Sequence, residues 1–189
     1  MNNFIEHQLN LSVSEKIRVL VEDTSDRPAC VLVFGTCVGD GCLVRVHSRC
    51  LYGDVFLSHD CDCGEQLAAS RHLIQQEGSG VIIYLDQEGR GCGLANKAHG
   101  YVLTQTKQMD TFAAYDALGL SEDARDYSVV VQILQILGLR SVRLLTNNPN
   151  KVVAIESAGI YVERVALVIS PTLHTRDYLA AKKRIGHLL

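Results

Sequence analysis

The sequence predicts an α/β fold in which a β-rich N-terminal third is followed by alternating strands and helices around a mixed, partly parallel sheet. Short apolar runs separated by Gly35, Gly39 and Gly41 occupy the first third. Further along, short apolar runs alternate with segments whose apolar residues recur at helical spacing. No linker rich in Pro, Gly or Ser interrupts the 189 residues, so we expect a single domain over 1–189.

Three short strands are predicted in the first third, where β-branched residues and leucine dominate: 18–21, 29–34 and 42–47. A helix follows over 64–78, with Leu67 and Ile74 among its apolar residues and Gly78 as its stop signal. The continuous apolar run 81–85 indicates a strand that is buried on both faces.

The second half is predicted to contain, in order, helices over 93–107, 111–118 and 126–137, a strand over 142–146, a helix over 151–158, a strand over 160–169 and a basic helix from about residue 175. Asp110 and Asp126 are of the residue type that caps helix N-termini. Gly159 is of the type that follows a helix C-terminus.

Composition excludes several classes of function. Apolar residues make up 47% and charged residues 21% of the chain, which is typical of a globular protein. The net charge is −3, without a run of like charge, which argues against a nucleic-acid polymer as partner. No apolar run approaches the roughly 20 residues of a membrane-spanning helix. Residues 1–10 lack the order of a secretion signal, so we expect a cytoplasmic protein without a membrane partner.

Seven cysteines in such a protein indicate metal binding, catalysis or burial rather than disulfides. Cys50, Cys61 and Cys63 are separated by ten residues and then by one. Zinc prefers thiolate ligands in tetrahedral geometry, and catalytic zinc sites use three protein ligands and leave one position for water. A hairpin over the ten residues, with a bend at Gly64, would bring the three thiols together. The alternative is that they are buried thiols beside a turn.

Other residues compete for a place in that site. Cys92, in a glycine-rich loop, is a candidate fourth thiolate that would make the site structural. His47 and His59 are also close in sequence, although a lone histidine is more often a hydrogen-bonding residue than a ligand.

Polar, helix-opening segments follow two of the predicted strands, at 86–97 and 146–151. A helix N-terminus offers unpaired N–H groups to an anion, and ligands of open α/β sheets bind where strands end, so these segments favour a nucleotide site. Glu88 is a candidate acceptor for the amino group and ring N–H of guanine. The alternative for Glu88 is a solvated loop carboxylate.

Asp123, Arg125 and Asp126 form a third polar cluster, directly before a predicted helix. Two interpretations remain open for this cluster. It is either helix capping by Asp126 with surface charge around it, or an acid/base pair that contacts a phosphate.

Several separated motifs resemble those of GTP cyclohydrolase II in order and spacing. They are Arg45–Ser48, Cys50 with Gly53 and Asp54, Cys61–Gly64, Gln87–Gly91, Arg125–Asp126, Leu144–Pro149 and the closing run 184–189. The resemblance extends from about residue 18 to the C-terminus.

The resemblance implies a zinc enzyme, usually a homodimer, that uses Mg²⁺ with the substrate triphosphate. Its reaction opens the imidazole ring of GTP, releases formate and pyrophosphate, and yields a diaminopyrimidinone ribosyl phosphate for riboflavin. One Zn²⁺ per chain would be held by Cys50, Cys61 and Cys63. The family's GTP-binding positions match Arg45, Val46, His47, Ser48, Arg49, Gln66, Glu88, Gly89, Arg90, Thr111, Thr146 and Lys151.

The catalytic positions implied by the resemblance are Asp123, Arg125 and Tyr101. Asp123 matches a proton acceptor, Arg125 a nucleophile toward the α-phosphate, and Tyr101 a tyrosine linked to completing hydrolysis at C8. Since arginine has a pKa above about 12, residue chemistry favours Arg125 as a clamp on the α-phosphate. Both roles of Arg125 stay open at this point.

The chain departs from the family pattern near both loops. The family carries Glu before the first zinc cysteine, Arg before the second and Arg before the Gln-Glu-Gly motif, where this chain has Arg49, Asp60 and Asp86. Cys92 also replaces the usual Ile. We predict an Arg49–Asp60 ion pair of reversed polarity beside the zinc. We further expect Asp86 to weaken triphosphate binding if its side chain faces the phosphates.

These departures leave two alternatives to the family reaction. One is a divergent enzyme that acts on another nucleotide or stops at the formamide intermediate in specialised metabolism. The other is a non-catalytic nucleotide-binding protein with a structural zinc closed by four thiolates.

Overall fold

The computed structural model describes residues 3–13, 15–23, 25–171, 175–184 and 186–188, with the side chain of Asp177 left out. Ile185 and Leu189 of the closing motif lie outside this part of the chain. Its strands are β1 (Phe4–Asn10), β2 (Lys16–Glu22), β3 (Cys30–Phe34), β4 (Cys42–Ser48), β5 (Gly80–Leu85), β6 (Ser141–Leu145) and β7 (Tyr161–Val165). Its helices are α1 (Leu51–Asp54), α2 (Cys63–Glu77), α3 (Leu94–Lys107), α4 (Thr111–Ala117), α5 (Ser128–Ile136), α6 (Pro149–Glu156) and α7 (Arg176–Arg184), with a 3₁₀ turn over Glu88–Gly91.

The predicted α/β class with a mixed sheet is confirmed. Within the described residues the sheet has seven strands in the order β1-β2-β3-β5-β4-β6-β7. The pairs on the β1 side, from β1 to β5, are antiparallel, and the pairs from β5 through β4 and β6 to β7 are parallel. After β4 the chain forms β5 on one side of this strand and, later, β6 on its other side. The carboxyl end of β4 is therefore a topological switch point, where ligands of open sheets bind.

The core lies on both faces of this sheet. On one face, Val44 of β4 and Ile83 of β5 pack in a cluster with Ile133 of α5 and Ile155 of α6. On the other face, Ile82 packs in a cluster with Ile74 of α2. Successive strand residues thus enter opposite clusters, as the two-residue period of a strand requires. The prediction that 81–85 is buried on both faces is confirmed.

Some element boundaries differ from the predicted ones. The sequence does not predict β1, because all of its residues after Phe4 are exposed and no alternation marks it; pairing with β2 makes it a strand. Asp110 caps α4 as predicted. Helix α5 starts later than predicted, with Tyr127 at the cap position. Asp126 lies one residue before the cap and accepts from the Ser128 amide. None of the helices in the described ranges combines the length and the apolar character needed to cross a membrane.

The cysteine segment is not the predicted hairpin. Cys50 precedes the short helix α1, and a loop then leads to Cys63, the first residue of α2. A close contact between Gly53 and Gly64 joins the two helices, because a Cβ on Gly64 would lie 2.2 Å from the Gly53 carbonyl oxygen. Since no side chain fits there, the paired glycines set the distance between the two ends of the segment.

We expect Gly64→Ala to lower the free energy of unfolding by about 1–3 kcal/mol or more, because the added methyl overpacks against backbone. Urea unfolding of the metal-free protein measures this change. Gly39→Ala is the matched control, since a Cβ on Gly39 has no heavy atom within 4 Å. Equal stability of the two variants would contradict the assigned contact.

Candidate active site

A cavity of about 750 Å³ opens at the carboxyl ends of β4, β5 and β6. This volume lies within the range of roughly 300–1,000 Å³ that is typical of small-molecule sites. Side chains from all three strand ends line it, and Tyr178 and Lys182 of α7 form a further wall. Every site residue that the sequence predicts contributes to the lining except Val46. The side chain of Val46 is instead buried in the core.

The three predicted metal ligands meet in this cavity. The sulfurs of Cys50, Cys61 and Cys63 lie within 4.8 Å of one another, and those of Cys50 and Cys61 are 3.6 Å apart. Tetrahedral zinc with Zn–S bonds of about 2.3 Å places two sulfurs about 3.8 Å apart, so the three thiols fit that ion. Both Cys50 and Cys61 are buried.

The competing ligands lie elsewhere. Among the described residues, Cys92, His47 and His59 are all outside the sulfur cluster. The Cys92 thiol donates to the carbonyl oxygen of Ser121 at 3.7 Å instead. Closure of the site by a fourth thiolate from Cys92 therefore finds no support in the structure.

His47 supports the metal loop as a hydrogen-bonding residue. It contacts Asp54 through Nε2 at 3.1 Å and accepts from Arg45 through Nδ1 at 3.4 Å. A carboxylate only accepts and a guanidinium only donates, so the imidazole carries its proton on Nε2. Burial lowers the pKa of His47 and keeps it neutral. Asp54 in turn accepts from the Cys50 amide at 3.0 Å. Because His47 lies in β4, Asp54 links that strand to Cys50.

Lys97, which no sequence pattern singles out, touches Cys50, the first of the three predicted metal ligands. Its ammonium donates to Cys50 Sγ at 3.1 Å and to Glu88 Oε1 at 2.8 Å. Hydrogen bonds from the Cys61 and Cys63 thiols, with the charge of Lys97, lower the pKa of Cys50. The thiolate is the form of cysteine that binds metal, so this environment favours ligation.

Glu88 is not the solvated loop carboxylate that one of the two alternatives describes. Its side chain is only 7% exposed. Besides Lys97, it accepts from the backbone amide of Leu51 through Oε2 at 2.7 Å. Both carboxylate oxygens therefore have protein partners.

A chain of side chains links α7 to the metal loop. Arg45 donates to Gln66 at 2.7 Å, Gln66 donates to Asp62 at 2.5 Å, and Lys182 donates to Asp62 at 2.6 Å. Asp62 lies between two of the metal-ligand cysteines. The family resemblance indicates Arg45 and Gln66 but neither Asp62 nor Lys182. Nothing local in a basic helix indicates which residue Lys182 reaches.

Lys151 brings a buried cation to the cavity. It donates to the Val46 carbonyl oxygen at 2.8 Å, so Val46 contributes to the site through its backbone. Burial, followed by the charges of Arg45, Arg125 and Lys182, lowers the pKa of Lys151 well below its ordinary value. An anionic ligand would relieve this repulsion.

Asp123 and Arg125 form a bidentate ion pair in the cavity wall, with Oδ–N distances of 2.7 and 2.5 Å. Burial opposes both charges, but the pair outweighs it, so the pKa of Asp123 is lowered and that of Arg125 is raised. A firmly protonated guanidinium favours the phosphate-clamp role over the nucleophilic one. Gly91 permits the approach of this segment, because a Cβ there would lie 2.6 Å from the Ala124 carbonyl oxygen.

Arg90 is held in an unusual backbone conformation beside these residues. Its φ is +57°, a left-handed value that costs energy in a non-glycine residue. Its guanidinium lies 3.9 Å from the centre of the Phe112 ring, a cation–π contact that fixes the side chain. Thr111, the first residue of α4, lines the cavity next to Phe112.

Tyr101 of α3 faces the same cavity. Its ring meets that of Tyr52 edge to face, with centroids 5.3 Å apart. Burial, followed by the charge of Cys61, raises the pKa of Tyr101. The phenol thus keeps its proton at neutral pH and can donate a hydrogen bond to a ligand.

The predicted Arg49–Asp60 ion pair is wrong. Arg49 donates to Asp86 at 3.1 Å, whereas Asp60 accepts from Ser58 at 2.9 Å. The parallel register pairs Ser48 with Leu85, so the next residue of each strand lies beside the other. Relative to the family pattern, the reversal of charge thus joins Arg49 and Asp86. Asp86 does not line the large cavity, so the condition for weaker triphosphate binding is not met.

His187, near the C-terminus, also lines the cavity. Burial, followed by the charges of Lys182, Arg125, Lys151 and Arg90, lowers the pKa of His187 to about 4. From the sequence, His187 is distinguished only as part of the closing run 184–189. The cations around it show that this part of the cavity is strongly electropositive.

Comparison with known proteins agrees with this geometry. A model of the GTP cyclohydrolase II family matches residues 4–166. GTP cyclohydrolase-2 of Neisseria gonorrhoeae is 46% identical over 171 residues, which cover 89% of this chain and 86% of the relative. The riboflavin biosynthesis protein RibBA of Chlorobium phaeovibrioides is 51% identical over 149 residues, which cover 78% of this chain but 36% of that relative. Helix α7 lies beyond the residues that the family model matches.

We expect a double-mutant cycle on Arg49→Glu and Asp86→Arg to show coupling of about 0.2–1 kcal/mol in the free energy of unfolding, as for other half-exposed pairs. Each single change places like charges together, and the double change restores attraction. Urea unfolding at low salt measures the four proteins. The cycle of Arg49→Glu with Asp60→Arg is the control. Coupling in that cycle and additivity in the first would contradict the pairing.

We expect inorganic pyrophosphate with Mg²⁺ to raise the pKa of His187 from about 4, because bound negative charge stabilises the imidazolium. Without the anion, His187 stays neutral until the pH falls through about 4. NMR titration of the histidine ring protons, assigned with His187→Gln, measures the midpoint. The curve of exposed His59 is the control; equal shifts of both residues, or none at His187, would exclude an anion site in the cavity.

Proposed function

The chain belongs to the GTP cyclohydrolase II family, and on this premise we propose that it opens the imidazole ring of GTP, releases formate and pyrophosphate, and supplies riboflavin biosynthesis. One observation carries the proposal: three convergent thiols and a cluster of cations share one cavity at a switch point of the sheet. The thiols suit a metal that acts on the base, and the cations suit a polyphosphate.

Cys50, Cys61 and Cys63 would hold one Zn²⁺ per chain. When bound with three protein ligands, zinc supplies a Lewis acid that lowers the pKa of water and polarises a carbonyl group. Mg²⁺ would accompany the substrate triphosphate, as the family resemblance implies and as is usual for bound nucleotides. Tyr101, with its raised pKa, would donate a hydrogen bond near the cysteines while hydrolysis at C8 is completed.

The phosphate end of the substrate would lie against the cationic wall. Lys151 and Arg90 would share the charge of the triphosphate, and Arg125 would clamp the α-phosphate. Asp123 orients Arg125 through two hydrogen bonds and so fixes the direction of its free N–H groups. The other proposed substrate contacts are those that line the cavity around these groups: Arg45, His47, Ser48, Arg49, Gln66, Glu88, Gly89, Thr111 and Thr146, with the backbone of Val46.

The family resemblance further supports a homodimer that acts in the cytoplasm. The case for a divergent enzyme rested on Arg49, Asp60 and Asp86. Because Arg49 and Asp86 neutralise each other, that case is weakened. The case for a closed structural zinc rested on Cys92, which bonds elsewhere.

We expect the zinc-loaded protein with GTP and Mg²⁺ to release formate and pyrophosphate in equal amounts and to form the ultraviolet spectrum of a diaminopyrimidine. Cys61→Ser is the paired variant: it should abolish formate release, because the metal loses one ligand. Coupled assays for the two products and absorbance spectra give the measurement. Pyrophosphate without formate would indicate arrest at the formamide, and turnover of another nucleotide but not GTP would overturn the proposed substrate.

A further inference from the structure

Lys97 contacts Cys50 and Glu88 contacts the residue that follows it, and no sequence motif assigns them that task. Lys97 donates to the sulfur of Cys50, while Glu88 accepts from the amide of Leu51, the residue that follows it. The two side chains are joined to each other at 2.8 Å. From this geometry we propose that Glu88 and Lys97 form a brace that positions the Cys50 thiolate for the metal.

The brace joins three separate parts of the fold. Glu88 belongs to the turn after β5, Lys97 to the second turn of α3, and Cys50 to the end of β4. On the other side of Cys50, Asp54 accepts from its amide. The first metal ligand is thus restrained at its amide, its sulfur and the next peptide group. Such restraint by neighbouring groups is the usual way in which a protein orients metal ligands.

The burial of the pair indicates a role other than fold stability. The side chains of Lys97 and Glu88 are 11% and 7% exposed. Transfer of two charges out of water costs about as much as their attraction returns, so buried pairs contribute little to net stability. What this pair does provide is a fixed ammonium against one sulfur. A ring contact with Tyr52, whose centroid lies 4.5 Å from the ammonium, further fixes that group.

Charge balance at the metal explains why a cation belongs there. Three thiolates and one divalent ion would carry a net negative charge in a buried place. Lys97 compensates that charge, and its N–H···S bond draws electron density from the sulfur. Hydrogen bonds to metal-bound sulfur are a recognised means of tuning such centres. A ligand set neutralised in this way leaves the metal a stronger Lewis acid.

The hydrogen bonds of Glu88 hold it against the metal loop. Oε1 accepts from Lys97 and, at 3.2 Å, from its own neighbour Gly89, while Oε2 accepts from Leu51. Each oxygen of a carboxylate offers two lone pairs, so these bonds restrain Glu88 without using its whole capacity as an acceptor. Glu88 is thus held both by the metal loop and by α3.

The first test uses the metal and no nucleotide. We expect Lys97→Met to weaken zinc binding about 10- to 100-fold in competition with a chelator, as is typical for loss of a group that orients a ligand. In the cobalt-substituted protein, the thiolate-to-metal charge-transfer band should move to lower energy, because the sulfur loses its hydrogen bond. Lys107→Met, an exposed change at the end of the same helix, is the matched control. Unchanged affinity and band position in Lys97→Met would overturn the brace.

A double variant separates positioning from folding. Lys97→Met alone strands the buried charge of Glu88, so its protein can fail to fold for that reason. Glu88→Gln combined with Lys97→Met removes both charges and keeps the shape of both side chains. We expect this protein to fold, by circular dichroism, and still to show the weaker zinc binding and the displaced cobalt band. A wild-type cobalt spectrum in the folded double variant would likewise overturn the proposal.

The second test rests on the proposed function and separates the brace from base recognition. Inosine triphosphate lacks the exocyclic amino group of GTP. We expect Lys97→Met to lower kcat/KM for both nucleotides by the same factor, so that their ratio stays that of the wild type. A ratio that collapses, with zinc affinity intact, would overturn the brace and place Lys97 at the base. If the wild-type protein releases no formate from GTP, the proposed function fails, while the zinc and cobalt measurements still decide the brace.

Discussion

The close contact between Gly53 and Gly64 is the constraint on which the site depends. Because neither residue has a side chain, the short helix after β4 can lie directly against the first turn of α2. Cys50 precedes one of these helices and Cys63 begins the other, so the separation of the helices determines whether their sulfurs share one ion. A methyl group at Gly64 would overlap the Gly53 carbonyl oxygen and so force the two helices, with their cysteines, apart. The metal chemistry therefore begins with backbone packing.

The charges of the cavity are arranged by the parallel strands that end there. Arg49 and Asp86 are neighbours because β4 and β5 run in the same direction and in register, and their pairing removes an anion from the substrate side. On the opposite wall, burial and, after it, the nearby charges of Arg125 and Lys182 lower the pKa values of Lys151 and His187. Such an excess of buried positive charge is costly until an anion binds, which suits a site for a polyphosphate.

Helix α7 belongs to the site although the family model matches only residues 4–166. Lys182 reaches Asp62 in the cysteine loop, and Asp62 is joined through Gln66 to Arg45 of β4. The C-terminal segment thus closes a polar network that runs from the metal loop to the centre of the sheet. Arg184, paired with Asp110 at the start of α4, fixes the same helix to a second wall of the cavity.

The sequence by itself determined the class of fold, most of the elements and the three cysteines whose sulfurs converge. Periodicity, caps such as Asp110 and the run at 81–85 are local properties, and local backbone conformation follows from them. Only the tertiary structure decided the partner of Arg49, the contact of Lys97 with Cys50 and that of Lys182 with Asp62, the last across 120 positions. These contacts depend on strand order and register, which result from packing of the whole sheet. The same packing replaced the expected hairpin with the short helix α1 and a loop that leads to α2, and residue types alone do not encode which ends of a sheet meet.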